Sequence, residues 1–428
     1  MPPFYRKISA RVLPLLFFCY LVNYLDRTNI SFAKLTMSAS LGIDAAAYGF
    51  GAGLFFIGYF FFQLPSNLML VRLGSRRWIA TILVVWGLVS AATIFVHDEW
   101  QFYFARFCLG ATEAGFFPGV IYYFTRWYPA AARGRILALF LIAIPVSGIV
   151  GGPLSGWVLA TFRGGGGDGA LLDWQWLFLL ESLPCFAAAL WVWIGLPDDM
   201  DAVAWLTAAE KAELAALLQK EAEERARQDA PAGAAAALRL PAVWQLCLVY
   251  FCTMMGLYGY SFWLPQTIVE MGWKDPLHIG LISAIPALVA AIFMVLWGAR
   301  SDRKQERRLH SAGAALLAAV GFAGVGLAPG GWTGLVALCI ADAGVMAMMA
   351  TLWAFPGTLL GGAAAATGIA LINSMGNLGG FVSPTLLGQI IQRTGHQASA
   401  QYATSLFLLF SAGVLLFGRS LSPKKQSP

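Results

Sequence analysis

Apolar runs of about 20 residues recur from Val12 to Phe417, separated by short polar turns. A run of that length crosses a bilayer core about 30 Å thick as a helix that satisfies its own backbone hydrogen bonds. The pattern predicts about twelve spans, near 12–33, 47–71, 77–96, 101–125, 136–161, 174–196, 242–270, 277–299, 310–328, 332–358, 364–391 and 399–418. One polar interval interrupts them. Residues 197–240 are charged and rich in alanine, and Thr207 followed by Glu210 has the spacing of a capping box. A surface helix is therefore expected over about 208–228, ending before an Asp-Ala-Pro-Ala-Gly break. The expected fold is an all-α membrane protein of twelve transmembrane helices in two six-helix bundles, 1–196 and 241–428 with a short tail, joined by the linker 197–240.

Composition agrees with this pattern. The chain is 59% hydrophobic and 12% charged, with a mean hydropathy of +0.68, whereas a soluble protein would carry about twice the charge. Lys and Arg collect in alternate loops and at both ends, while Lys34, Arg163, Lys274 and Arg393 lie on the other side. That asymmetry predicts cytoplasmic termini, and it accounts for the net charge of +6 without nucleic-acid binding. The first apolar segment is long, contains Asp26 and lacks a small-residue cleavage site, so it reads as span 1 rather than a removable leader. All six cysteines fall inside predicted spans with no C-x-x-C spacing, which argues against a metal site or a disulfide framework.

The costly residues are the charges inside the spans. Span 1, in the stretch CYLVNYLDRTNISFA (19–33), carries Asp26 and Arg27, and span 4 carries Arg106 and Glu113. Glu181 lies in span 6 beside Trp174 and Trp176, where a structural role is expected, and Asp342 lies near the middle of span 10. An ionisable group at such a position costs at least about 2.5–3.5 kcal/mol on insertion scales, so it faces the bundle interior and has a partner. Adjacent helical residues point about 100° apart, so Asp26 and Arg27 address different neighbours. Arg27 shares its face with Tyr20, Asn23, Tyr24 and Ser31, a polar stripe suited to a water-filled cavity. At 1.5 Å per residue, Asp26 and Arg106 lie at about the same depth and are expected to pair, with Glu113 about 10 Å deeper.

Two acids at different depths, each near an arginine, suit a proton-coupled cycle. Loss of water disfavours a charged carboxyl, while a guanidinium favours it, so rearranging the arginines loads or releases a proton. Arginine also offers a planar fork that matches a carboxylate. The expectation is that an organic anion binds Arg27, with Arg106 as a further contact, while Asp26 and Glu113 carry protons. The alternative is a set of ion pairs that only holds spans 1 and 4 together. Asp342 fits neither tier and stands equally as an accessory proton site or a capped buried partner.

The motifs NYLDRTNISFA, RFCLGATEAGFFPGVIYY followed by RWYP, PSNLMLVRLGSRRW, YSFWLPQTI and GIALINSMGNLGGFVSP together resemble the anion:cation symporter family of the major facilitator superfamily. That family includes bacterial permeases for tartrate, phthalate, hydroxyphenylacetate and sugar acids, and the resemblance covers nearly the whole chain. It implies proton-coupled import of an organic anion by alternating access. It further implies proton coupling at Asp26 and Glu113, anion contact at Arg27, and importance for Arg106. Substrate contacts are implied at Tyr24, Tyr59, Trp353 and Asn373, with Asn377 one turn on from Asn373. On sequence alone the aromatic residues read equally as packing groups, and the asparagines as interhelical hydrogen-bonding groups. In MMATLWAFP (348–356), Ala350 and Leu352 stand where a polyol would prefer hydroxyls, which points to a shorter or more apolar carboxylate. The loop GARSDRKQERRLH (298–310) resembles a superfamily gating motif through Gly298, Asp302, Arg303, Arg307 and Arg308. Its counterpart in the first half has Val71 at the acidic position.

Other signals carry less. The glycine-rich segment FRGGGGDGA (162–170) follows no strand and reads as a flexible loop rather than a phosphate cradle. The four histidines lie at span ends or in loops, away from any relay, and no nucleophile–base grouping suggests an enzyme. Gly148, Gly152, Pro153 and Gly156 resemble the motif of drug:proton antiporters, and the same small residues permit close helix packing. A drug/proton antiporter and an uncoupled anion facilitator are the alternative functions. No cofactor is expected beyond the coupling proton. The expected partners are a small organic anion (dicarboxylate, hydroxy acid, aromatic acid or sugar acid) and the lipid bilayer, and the protein is expected to be a monomer in a bacterial inner membrane.

Overall fold

The computed structural model describes residues 3–165, 171–228, 238–328, 330–353, 355 and 362–418, and these contain helices and turns with no strand. Ten helical stretches among them are long and apolar enough to cross a membrane, and they cover predicted spans 1–3, 5–10 and 12. Span 11 is covered by a 33-residue helix, Gly362–Thr394. Span 4 is instead broken in two, at Ala114–Gly115. The glycine-rich loop, the segment after Gln228 and the C-terminal tail lie largely outside the described residues.

In chain order the helices are α1 (Pro3–Leu41), α2 (Ala45–Leu73), α3 (Ser75–Ala92), α4 (Glu99–Glu113), α5 (Phe116–Trp127), α6 (Ala130–Leu141), α7 (Ala143–Thr161), α8 (Asp173–Gly195) and α9 (Ala208–Gln228). They continue as α10 (Pro241–Ser261), α11 (Leu264–Glu270), α12 (Pro276–Lys304), α13 (Arg308–Leu327), α14 (Gly331–Leu352), α15 (Gly362–Thr394) and α16 (Gln397–Phe417). Polar residues mark several ends. Asp98 accepts from the Gln101 N–H at the start of α4, and Asp275 accepts from the His278 N–H at the start of α12.

The chain forms two compact units. The first comprises Met1–Leu41, Leu54–Gly151 and Val158–Arg227, and the second Gly42–Gly53, Gly152–Trp157 and Gln228–Pro428. In the first, α8 packs on α1 and α3. Glycines let α2 and α4 meet at backbone distance: a Cβ at Gly58 would overlap the Phe107 carbonyl, and one at Gly110 the Phe55 carbonyl. This contact sets the Phe55–Tyr59 turn of α2 against the Arg106–Glu113 stretch of α4.

The linker helix α9 begins with the predicted capping box. The Thr207 N–H donates to Glu210 Oε2 (2.9 Å), and the Glu210 N–H donates to Thr207 Oγ1 (3.3 Å). Lys7 Nζ lies 2.7 Å from Glu210 Oε1 and Arg133 Nη2 lies 3.0 Å from Glu221 Oε1, so α9 is tied to α1 and α6. The turn after α2 uses Gly74 at φ 84°. Its carboxylate comes from just beyond α8: Asp198 accepts from the Arg76 N–H (2.8 Å) and pairs with the Arg76 guanidinium (3.4 Å). An acid remote in sequence thus serves the loop in which Val71 occupies the acidic position.

In the second unit, α13 packs on α14 and α16, α12 on α14, and α10 on α15. Gly152 and Gly156 meet Gly280 of α12 at backbone distance, so the glycine pattern of span 5 serves close packing. Between α12 and α13, Asp302 pairs with Arg307, and Glu306 accepts from the N–H groups of Leu309 (2.7 Å) and His310 (3.1 Å). Arg308 donates to the carbonyls of Leu415 and Leu416 at the end of α16, while Arg303 is exposed.

Candidate functional site

The first unit gathers four buried or nearly buried charges. Asp26, Arg106 and Glu113 are at most 2% exposed, and the Arg27 side chain keeps 12% of its surface. With all four ionised the cluster carries no net charge. Arg27 pairs with Glu113, directing both Nε and Nη2 at Oε1. Glu113 Oε2 is buried without a hydrogen bond among the described residues, and the Asn23 amide lies close to the same carboxyl. Arg27 is therefore paired with an acid that has no access to water, while its own side chain keeps part of its surface exposed.

Asp26 has a different environment, as the 100° offset from Arg27 requires. It accepts hydrogen bonds from Trp86 Nε1 (2.6 Å), from Ser90 Oγ and from Asn29 Nδ2 (3.1 Å). Arg106, the partner expected from depth, acts on it electrostatically. The direct ion pair thus falls on the inner acid, with Arg27, and the outer acid takes neutral donors from α3 and from Asn29 of α1. Trp86 and Ser90 went unnoticed in the sequence because neither is charged, although their spacing of four places them on one face of α3.

Aromatic rings enclose the guanidiniums. Arg27 lies 5.3 Å from the Tyr24 ring centroid, 5.4 Å from Tyr59 and 5.2 Å from Phe55. Arg106 lies 5.2 Å from the same Phe55 ring. Phe55 therefore bridges the two cations, a role that hydropathy hid because phenylalanine inside a span reads as lipid-soluble packing. Its signal is the i,i+4 spacing to Tyr59. Such contacts contribute about 2 kcal/mol when desolvated, and they fix a guanidinium without neutralising it.

Trp353, Asn373 and Asn377 belong to the second unit. Trp353 follows the end of α14 and meets Tyr250 of α10 edge to face, with centroids 5.1 Å apart. Asn373 and Asn377 are half-buried on α15, and Asn377 Nδ2 has no hydrogen-bond partner among the described residues. Glu181 is buried on α8.

A multi-pass helical membrane protein with a charge-balanced, aromatic-lined polar site in its interior has the architecture of a solute transporter. Residues 16–384 match the Major Facilitator Superfamily. The chain is 43% identical over 96% of its length to the "Putative metabolite transport protein NicT" of Pseudomonas putida, covering 93% of that protein. It is 42% identical over 98% of its length to a "Putative tartrate transporter" of Agrobacterium vitis, covering 92% of it. It is also 40% identical over 95% of its length to the "Quinolone resistance transporter" of Acinetobacter baumannii, covering 92% of it. Its fold matches a bacterial homologue of the human lysosomal transporter Spinster, with a TM-score of 0.77 at 16% identity and 98% coverage of both chains. The protein belongs to the Major Facilitator Superfamily, and it is a transporter rather than an enzyme.

Proposed function

We propose that the protein imports a small organic carboxylate by proton symport through alternating access, with both termini in the cytoplasm of a bacterial cell and the chain working as a monomer in the inner membrane. The observation that carries this reading is the Arg27–Glu113 ion pair, buried on its acidic side and partly open on its basic side. A substrate carboxylate that takes the fork of Arg27 draws it from Glu113. Glu113 would then be a buried, unpaired anion, at a cost of about 3–5 kcal/mol, unless it binds a proton. Anion entry and proton entry are linked by that charge balance. One proton balances a monoanion, and two protons, on Glu113 and Asp26, balance a dianion such as tartrate.

Tyr24, Tyr59 and Arg106 complete the anion site in the first unit, and Trp353, Asn373 and Asn377 are the substrate-contacting residues proposed for the second. Asp302 and Arg303 belong to the gating loop, and rocking of two six-helix bundles joined by the linker provides alternating access. The relatives named as tartrate transporters support a hydroxy-dicarboxylate. The relative named for quinolone resistance keeps proton-driven export as the alternative.

Binding of unlabelled candidates, read as a shift in thermal unfolding of the purified protein, tests the substrate class. The panel is tartrate, phthalate, galactonate, lactate, glutamate and a quinolone. Stabilisation by a carboxylate at acidic pH, lost in Arg27→Gln, is the expected result. Stabilisation by the quinolone alone, unchanged in Arg27→Gln, would replace import by export.

A further inference from the structure

The four charges of the first unit leave one buried acid unused. Asp342, eleven residues into α14, is 3% exposed. Its surroundings are tightly closed: backbone contacts pair Gly321 with Ala341 and Gly344 with Ala318, and Gly256 of α10 faces Val345. Among the described residues Asp342 has no ion pair, and its Oδ1 has no hydrogen-bond partner. Two titratable groups face it, Tyr260 from α10 and Cys339 one turn earlier on α14. On the other helices packed against α14, the charged groups belong to the ends: His278, Arg300, Asp302, Arg303 and Lys304 on α12, and Arg308 and His310 on α13. A buried carboxylate without a cation is the most costly form of this residue, and a neutral carboxylic acid beside a hydroxyl is the least.

Tyr260 connects this acid to a break in the helix. It is the penultimate residue of α10, its hydroxyl is buried without a hydrogen-bond partner among the described residues, and its carbonyl accepts from the Trp263 N–H (3.2 Å) across the gap before α11. A phenol both donates and accepts, so it matches either form of the carboxyl. Brought into contact, it would accept from the protonated acid or donate to the carboxylate. A change in the α10–α11 junction that shifts Tyr260 therefore alters what Asp342 meets.

We propose that Asp342 and Tyr260 form a proton-binding site in the second unit, separate from the Asp26–Glu113 cluster. Asp342 holds a proton while Tyr260 closes over it, and releases the proton when the α10–α11 junction opens. The proposal concerns a protonation equilibrium and does not depend on which solute is carried or in which direction.

Infrared titration of the full-length protein in lipid, without substrate, tests it through the C=O stretch of protonated carboxyls. The expected spectrum at neutral pH contains a buried-acid band that Asp342→Asn removes, Tyr260→Phe displaces and Glu113→Gln leaves in place. The band fades as the pH is raised in the wild type. Spectra of Asp342→Asn that overlay the wild type at every pH would overturn the proposal, as would an Asp342 band that persists unchanged through the alkaline titration. If Asp342→Asn does not fold, Tyr260→Phe decides alone: an undisplaced band with an unchanged titration refutes the site.

Discussion

Replacing Glu113 by Gln removes the competing carboxylate and keeps the side-chain shape. In the wild type, an anion that takes Arg27 from an ionised Glu113 strands a fully buried charge. The penalty of about 3–5 kcal/mol corresponds to about two to four decades of affinity, and proton binding avoids it. Affinity for a monoanion should therefore fall about tenfold per unit rise in pH where one proton is linked to one anion. Glu113→Gln presents Arg27 with a neutral amide, so no proton is required. Its affinity should be nearly flat with pH and should exceed the wild-type value under alkaline conditions. Titration calorimetry at successive pH values measures both slopes directly. A wild-type slope retained in Glu113→Gln would refute the exchange of Arg27 between Glu113 and substrate.

Three further outcomes follow from the geometry. Arg27→Lys keeps the charge but loses the planar fork, and charge-assisted hydrogen bonds of about 1.5–3 kcal/mol translate into a loss of anion affinity of about tenfold to hundredfold, read by the same calorimetry. Gly110→Ala places a methyl group against the Phe55 carbonyl and forces α2 from α4; overpacking of about 1–3 kcal/mol should appear as a lower unfolding temperature together with weakened anion binding. Lys7 bonded to half-buried Glu210 holds that carboxyl below the ordinary value, so its contribution to docking of α9 is present at neutral pH and lost as pH falls through the depressed value. Hydrogen exchange of α9 should then show protection at about pH 5 that declines in stronger acid, and Lys7→Met should weaken that dependence, leaving the part due to the Thr207 N–H.

The spans were legible because hydropathy over about 20 residues is set by the bilayer and needs no knowledge of neighbours. The linker helix was legible to its cap because Thr207 and Glu210 are local partners. Contacts set by helix order were not. The break at Ala114–Gly115 lies directly after Glu113, and a window average passes over two small residues in an apolar run. Depth matched Asp26 to Arg106, yet the direction of each side chain gives Arg27 to Glu113 and Asp26 to Trp86 and Ser90. Val71 marked the first cationic turn as lacking its acid, and Asp198 supplies one from 127 positions away, counting from 71 to 198. A single sequence identifies which charges must be satisfied and leaves open which neighbours satisfy them.

Proton movement in proteoliposomes tests the central claim most directly. With a pH-sensitive dye in the lumen and no imposed gradient, external addition of the carboxylate that stabilises the protein should acidify the interior. Glu113→Gln, reconstituted to the same density and still able to bind the anion, should give no acidification with a monoanion and at most half the wild-type proton entry per anion with a dianion. Uptake of that anion by the wild type without any change in luminal pH would contradict symport and leave an uncoupled facilitator. Alkalinisation on adding a quinolone would establish an antiporter.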